Sequence, residues 1–435
     1  MAVGLAPIAT HAQEAWSLRQ CIDYAIEHNV SVLQTQNTAE QQKVDVNTKK
    51  WARLPNLNGS GGEGFSWGRT STLVKDETTG NYNSVYVNTS STNTSFSLNT
   101  NVPLFTGFSI PNQYSLAKLN LKAAIADLEK AKEDIAVNIA SSFLQVLFKE
   151  ELSKVAKEQV ALSKEQLNRS LRLNEVGKAS SAQVAEAKTR VAQDELSAVQ
   201  ADNDYRLALL DLSQLLELPT MEGFKITAPE LEPQFTPLTP PDEVFVQAAA
   251  SRPSILAAQY RLEGSENSIR IAQSNYYPQL SLNGSLGTDY YSTLDRNFKQ
   301  QMNDNFSKYI GFSLSIPIFN RFETRNKIRT ARLQQSYLSM QVENVKKSLY
   351  KEIQQAWYSA VAAESKYNSS TVAVDANQES FRLMSQKLEN GKATSVEYNE
   401  SKLNLMKALS DRIQAKYDYI FRTKILDFYK GKPIQ

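Results

Sequence analysis

The stretch LENGKATSVEYNESK, residues 388–402, decides the fold because it has a twin, NEVGKASSAQVAEAK, at residues 174–188. At a shift of 214 residues, seven of the fifteen positions match, among them Gly177/Gly391, Lys178/Lys392, Ala179/Ala393, Glu186/Glu400 and Lys188/Lys402. Each stretch stands between two long segments of helical spacing. Glycine takes a left-handed or sharply turning conformation without a Cβ clash, which suits a helix C-terminus. Ser180 and Ser181, like Thr394 and Ser395, can N-cap the helix that follows. Each stretch therefore reads as the tight tip of an antiparallel helical hairpin, and the chain holds two.

Working outward, residues 112 to 175 contain no proline and no glycine. As one helix that run would be roughly 95 Å long. Its twin runs from about 324 to 390, again without either breaker. After the first tip, Val184, Ala187, Val191, Ala198, Ala201, Tyr205, Ala208, Leu212 and Leu215 follow a 3/4 spacing, with Asp194 the polar exception. This is a coiled-coil register. A second apolar row, Ala185, Ala192, Leu196 and Val199, predicts packing on two sides, as in a wall of helices.

The repeat continues upstream. The helical pattern from Trp16 to about Ala52 recurs from Asp242 to about Tyr276 at a shift of 223 residues, which also carries Pro55-Asn56-Leu57 onto Pro278-Gln279-Leu280. A proline biases the residue before it away from helix, so each pattern is expected to run unbroken to that point. Strand-like text follows. Leu280, Leu282 and Leu286 alternate with Ser281, Asn283 and Ser285, and Ile310, Phe312, Leu314, Ile316 and Ile318 alternate with Gly311, Ser313 and Ser315. In the first half, Phe96, Leu98, Thr100, Val102 and Leu104 alternate with Ser97, Asn99 and Asn101. Period-2 alternation marks strands with two unlike faces. Such runs approach the roughly 9–11 residues needed to cross a bilayer as tilted strands. Between paired strands, residues 70–94 and about 290–305 read as long polar loops on one side of a membrane, with Tyr82, Tyr86, Tyr290 and Tyr291 among them. Val102-Pro103-Leu104-Phe105 and Ile316-Pro317-Ile318-Phe319 close the two strand pairs.

These readings divide the chain into 1–12, the tail of a secretory signal peptide; 13–218, a first repeat with a β-hairpin at 55–105 and a helical hairpin at 112–217; 219–241, a linker holding six of the 14 prolines; and 242–430, a second repeat with a β-hairpin at 278–319 and a helical hairpin at 324–428. The linker is expected to be ordered but not helical, or to carry a little local strand.

Composition excludes much else. The formal net charge is +2, so nothing points to nucleic acid. One cysteine, Cys21, and two histidines, His11 and His28, rule out an intrachain disulfide and argue against a Cys/His metal site. Cys21 falls on the apolar face Leu18, Cys21, Ile22, Ala25, Ile26 and reads as a core thiol. No phosphate loop, nucleophile elbow or metal-ligand cluster appears, so no cofactor or enzymatic activity is expected. No apolar run reaches the length of a transmembrane helix. A membrane β-barrel gives too weak a signal per strand to be excluded this way.

Helix, strand pair and helical hairpin, repeated once, resembles the TolC family of outer-membrane channels. The resemblance rests on the VPLF and IPIF phrases before long helices and on the GKAS and GKAT tips, and covers nearly the whole chain from Trp16. It implies an α+β, mostly α fold, in which duplicated hairpins build an α-barrel continuous with a twelve-stranded transmembrane β-barrel, four strands from each chain of a homotrimer. It implies residence in outer-membrane lipid and work with a periplasmic adaptor protein and an inner-membrane pump. It places adaptor docking at Gly177, Lys178, Ala179, Gly391, Lys392 and Ala393. It places an acidic periplasmic gate at Glu397 and Glu400, with Glu186 kept in the first repeat and Gln183 standing opposite Glu397. The basic residue that often follows the family's tip turn is Ala393 here. A periplasmic adaptor would show one helical hairpin in a split β-domain, and a coiled-coil scaffold would lack the strand pairs.

Overall fold

The computed structural model describes residues 15–75, 78, 80–227, 235, 237–432 and 434. The signal-peptide reading of 1–12, with His11, lies outside them, as do Pro229 and Pro233 of the linker. The element order is α1 (Leu18–His28), α2 (Val30–Trp51), β1 (Asn56–Lys75), β2 (Tyr82–Thr106), α3 (Ser109–Glu175), α4 (Ser181–Leu215), α5 (Pro241–Ser251), α6 (Pro253–Ser274), β3 (Gln279–Tyr291), α7 (Phe298–Asp304), β4 (Ser307–Ser315), α8 (Glu323–Glu389) and α9 (Ser395–Tyr429). Two compact units emerge. One comprises 1–40, 122–259 and 340–435, the other 41–121 and 260–339.

In the larger unit each repeat packs its opening helices on its own long helix. Cys21, Ile22 and Ala25 of α1 meet Ile139, Phe143 and Leu147 of α3 and Leu212 of α4. Val244, Ala248 and Ile255 meet Leu349 and Ile353 of α8. Burial pushes the Cys21 thiol up to about 12, which leaves it un-ionised at neutral pH. Trp16 pairs with Ile226 in an isolated parallel bridge, so of the two readings of the linker the one with a little local extended pairing holds there.

The unbroken opening helices are a correction. Asn29 separates α1 from α2 and Arg252 separates α5 from α6, both in extended backbone. The breaks fall at the same shift of 223 residues. Pro253 disfavours helix at Arg252. Asn29 has no such neighbour and uses its side chain instead. Its Oδ1 accepts from Ser31 N at 3.0 Å, and its Nδ2 donates to Leu215 O at the end of α4, 3.2 Å away. Arg252 donates to Phe428 O at the end of α9, pairs with Glu133 at 2.8 Å and stacks 4.0 Å over the Phe428 ring. Each break therefore ties the opening of its repeat to the last turn of that repeat, Asn29 at Leu215 O and Arg252 at Phe428 O, which also accepts from Gly431 N at 2.9 Å.

The smaller unit holds a four-stranded antiparallel sheet, ordered β1-β2-β3-β4. One face carries Leu98, Leu282, Leu286, Ile310, Phe312 and Leu314 in adjoining rows, and the other carries Asn56, Asn99, Asn101, Asn283 and Ser285. Asn101 Nδ2 donates to Asn283 Oδ1 at 2.7 Å and Ser285 Oγ to Asn99 Oδ1 at 2.8 Å, so the polar face is hydrogen-bonded across strands. The long-loop reading of 70–94 is corrected. Thr70 pairs with Val87 and Lys75 with Tyr82, so the β1–β2 ladder runs on through that polar text. Its Ser, Thr and Asn lie on both faces, so the hairpin has no apolar alternation to announce it. Residues 290–305 likewise contain the end of β3 and helix α7. β4 stops at Ser315, short of the expected Ile318, because Pro317 has no N–H for a ladder. In β2 the matching Pro103 is absorbed instead by a register slip between Pro103 and Phe105.

After each strand pair the backbone takes two consecutive left-handed residues, Gly107-Phe108 and Arg321-Phe322. At Gly107 a Cβ would stand 2.4 Å from Ser274 O, so only glycine fits there.

Candidate functional site

Both helical tips are built the same way. Gly177 has φ +70° and Gly391 φ +68°. Lys178 N donates to Leu173 O at 2.8 Å and Gly177 N to Asn174 O at 2.9 Å. Lys392 N donates to Lys387 O at 2.8 Å and Gly391 N to Leu388 O at 3.1 Å. These are Schellman closures, which use up carbonyls that a helix end leaves free. Ser180 then N-caps α4 with Gln183 completing a capping box, and Thr394 N-caps α9 with Glu397 in the same role. Space around both glycines is open, Lys178 and Lys392 are exposed, and Ala179 and Ala393 are half-buried.

The acidic residues are exposed: Glu186 on α4, and Glu397 and Glu400 one turn apart on α9. Glu397 Oε2 accepts from Thr394 N at 2.8 Å and from Thr394 Oγ1 at 2.9 Å. Those bonds, the backbone one first, hold its carboxyl below the usual carboxylate range. Gln183 occupies the same place in the first tip, its Oε1 accepting from Ser180 N at 2.8 Å.

Neither Glu397 nor Glu400 pairs with Lys402, because Lys402 is turned inward. It is 2% exposed, donates to Ser163 Oγ at 2.7 Å and pairs with Asp194 at 3.2 Å. Burial pushes its ammonium down, partly offset by Asp194. This pair joins the second hairpin to the first, between Tyr417 Oη donating to Glu151 at 2.8 Å and Arg169 pairing with Glu389 at 3.2 Å. The matched sequences hide it, since the twin Lys188 is exposed. The available signal was Asp194, a carboxylate inside an apolar register, which needs a buried partner. Among the described residues no group of histidine, cysteine and carboxylate side chains could hold a metal ion, and no helix is long and apolar enough to cross a membrane.

The chain matches the model of the outer membrane efflux protein family over residues 21–217 and 244–427. It is 23% identical over 323 residues to outer membrane efflux protein BepC of Brucella suis biovar 1, covering 74% of this chain and 68% of that one. It is 20% identical over 308 residues to alkaline protease secretion protein AprF of Pseudomonas aeruginosa, covering 69% of this chain and 62% of that one. Among solved structures it is similar to the Campylobacter jejuni CmeC outer membrane channel, with TM-score 0.77 at 18% identity over 95% of this chain and 85% of that one. Duplicated hairpins, paired tips and a two-faced sheet thus coincide with a family match along most of the chain: the protein belongs to the outer membrane efflux protein family, whose members are outer-membrane channels of efflux and secretion systems.

Proposed function

We propose that the chain is one subunit of a homotrimeric exit duct through the outer membrane and periplasm, working with a periplasmic adaptor and an inner-membrane pump. The observation that carries this reading is the sheet. One face is aliphatic and strongly exposed, with Ile310 at 80% and Phe312 at 72%. The other is a ladder of hydrogen-bonded Asn and Ser. Among the described residues its outer strands, β1 and β4, each have one edge unpaired. In lipid each unsatisfied backbone group costs several kcal/mol, so the sheet must close. Three copies give twelve strands around a water-filled lumen that accepts the polar face.

In this reading the tips Gly177-Lys178-Ala179 and Gly391-Lys392-Ala393 receive the adaptor, and Glu397 and Glu400, with Glu186 nearby in kind, supply the negative charge of a periplasmic gate. Open space at both glycines and the exposure of all three glutamates support these roles. Purified protein should scatter light as a trimer in detergent and should form cation-preferring pores in a planar bilayer. Monomeric mass together with no conductance would sink the reading.

A further inference from the structure

The first strand pair is far longer than a membrane requires. A tilted strand crosses a bilayer in roughly 9–11 residues. β4 has 9 residues and β3 has 13, but β1 has 20 and β2 has 25. β2 pairs with β3 only as far as Asn93, whereas it pairs with β1 as far as Tyr82. The far part of the hairpin, 67–75 with 82–91, is therefore a two-stranded ribbon. The chain enters β1 from α2 and leaves β2 into α3, so the ribbon projects from the opposite end. A lone ribbon is marginally stable in water unless another surface covers it.

The ribbon keeps two unlike faces. Register puts Phe65, Trp67, Arg69, Leu73 and Tyr86 on the face that carries Leu57, Phe96 and Leu98 lower down. Trp67 is 78% exposed and Leu73 68%, and the Phe65 and Trp67 rings stack 6.3 Å apart. The opposite face of the ribbon, which holds Ser66, Thr70, Val85, Val87 and Ser91, has neither an aromatic ring nor a charge. At the matching end of β4, Lys308 shares the outer face through Leu286 and lies 5.5 Å from the Phe306 ring. Among the described residues neither Arg69 nor Lys308 has an ion-pair partner. The one acid on that face among the described strand residues, Glu63, is about 20 Å below Arg69 along β1.

We propose that this outer face docks on the phosphorylated glycolipid headgroups of the surrounding leaflet, with sugars against its rings and phosphates at Arg69 and Lys308. This rests on the reading that the sheet spans the outer membrane, since the face continues the rows set against lipid. Thickness selects the occupant. Leu73, six residues past Trp67, stands about 14 Å higher on a strand tilted at 45°. A phospholipid headgroup layer is only about 5–8 Å deep. A layer of sugars reaches that height. The negative face of an aromatic ring attracts the C–H groups of a sugar, and the guanidinium fork of Arg69 matches a phosphate.

The test is a titration of detergent-solubilised trimers with rough-type lipopolysaccharide, which keeps the phosphates and inner sugars, and separately with phosphatidylglycerol. A bimane label is placed by Ser84→Cys, opposite Leu73 on the outer face, or by Val85→Cys on the other face, the native Cys21 being fully buried. The glycolipid should shift the Ser84→Cys label to shorter wavelength and leave the Val85→Cys label unchanged. Phosphatidylglycerol should shift neither. In the Ser84→Cys background, Arg69→Gln and Lys308→Gln should each weaken glycolipid binding roughly fivefold, and Trp67→Ser up to about tenfold. Thr70→Ala, on the opposite face, should leave it unchanged. Equal shifts from both labels, an equal response to phosphatidylglycerol, or full affinity in an Arg69→Gln/Trp67→Ser protein would each overturn the docking. Planar-bilayer conductance of the same preparation separates the two readings. Pores without a glycolipid response overturn the docking alone, and monomeric mass without conductance overturns the channel itself.

Discussion

The two tips share a backbone and differ in what their side chains face. Both close on a left-handed glycine and a Schellman pair of bonds, and both restart on a capping box. Yet Lys188 stands in solvent and Lys402 is 2% exposed against Asp194, although each ends one of two fifteen-residue stretches that match at seven positions. Local sequence sets the turn, because the turn is made of its own backbone. Burial is set by the neighbour, and the neighbours of the two hairpins are different.

The largest expected effect tests what the tips have in common. Ala179→Trp and Ala393→Trp should each abolish efflux while trimers still assemble in the outer membrane, since a half-buried alanine beside an open glycine leaves no room for an indole under a docked partner. Normal drug resistance in cells carrying both variants would remove docking from the tips.

The next separates them. Lys402→Ala leaves the buried Asp194 carboxylate with Arg190 at 3.5 Å as its remaining cation and should lower stability by about 1–3 kcal/mol. Lys188→Ala, at an exposed surface position of the single chain, should stay within about 0.5 kcal/mol in monomeric protein. Denaturant unfolding of both variants measures the gap, and equal losses would mean that the Asp194 contact contributes little. Replacing both members, as Asp194→Leu with Lys402→Met, should recover most of the loss.

The smallest effect on the fold concerns Glu397. Because Gln183 already fills its place in the first tip, Glu397→Gln should leave the α9 cap intact and change only charge. With Glu400→Gln it should abolish cation preference and multivalent-cation block in a planar bilayer, without altering the thermal transition. The pH dependence has a definite sign. The folded carboxyl titrates below its ordinary range, so its contribution is complete at neutral pH and fades as pH falls through that lowered value. The second tip of the native chain should therefore loosen in acid, as read by hydrogen exchange at the Thr394 and residue-397 amides, the two that the cap holds. Glu397→Gln should show no such loosening, nor should the first tip.

Much of this was legible beforehand. The shifts of 214 and 223 placed both hairpins and both strand pairs, because helical spacing and glycine turns are written locally. The break at Asn29 was not, since asparagine carries no strong stop signal. Pro253 did mark its twin at Arg252, and projecting that mark back by 223 residues would have found it. The outer part of the β1–β2 ladder escaped because Thr70, Ser71 and Thr72, and Ser84, Asn88, Thr89, Ser90 and Ser91 on the other strand, put polar side chains on both faces and show no alternation. The Lys402 pair escaped because two identical lysines in matched text gave no hint that only one is turned inward.

One consequence remains in the helix breaks at Asn29 and Arg252, each of which holds the last turn of its own repeat. Each repeat is thereby a closed circuit, its opening fastened to its finish. Ser17 and Ile434 line the same cavity of about 260 Å³. The chain order is therefore a matter of where the circuit is cut. A gene that links Ile434 to Ser17 through a short flexible segment and opens within 219–240, behind a secretory leader, should yield a protein that folds to the same two repeats with their order exchanged.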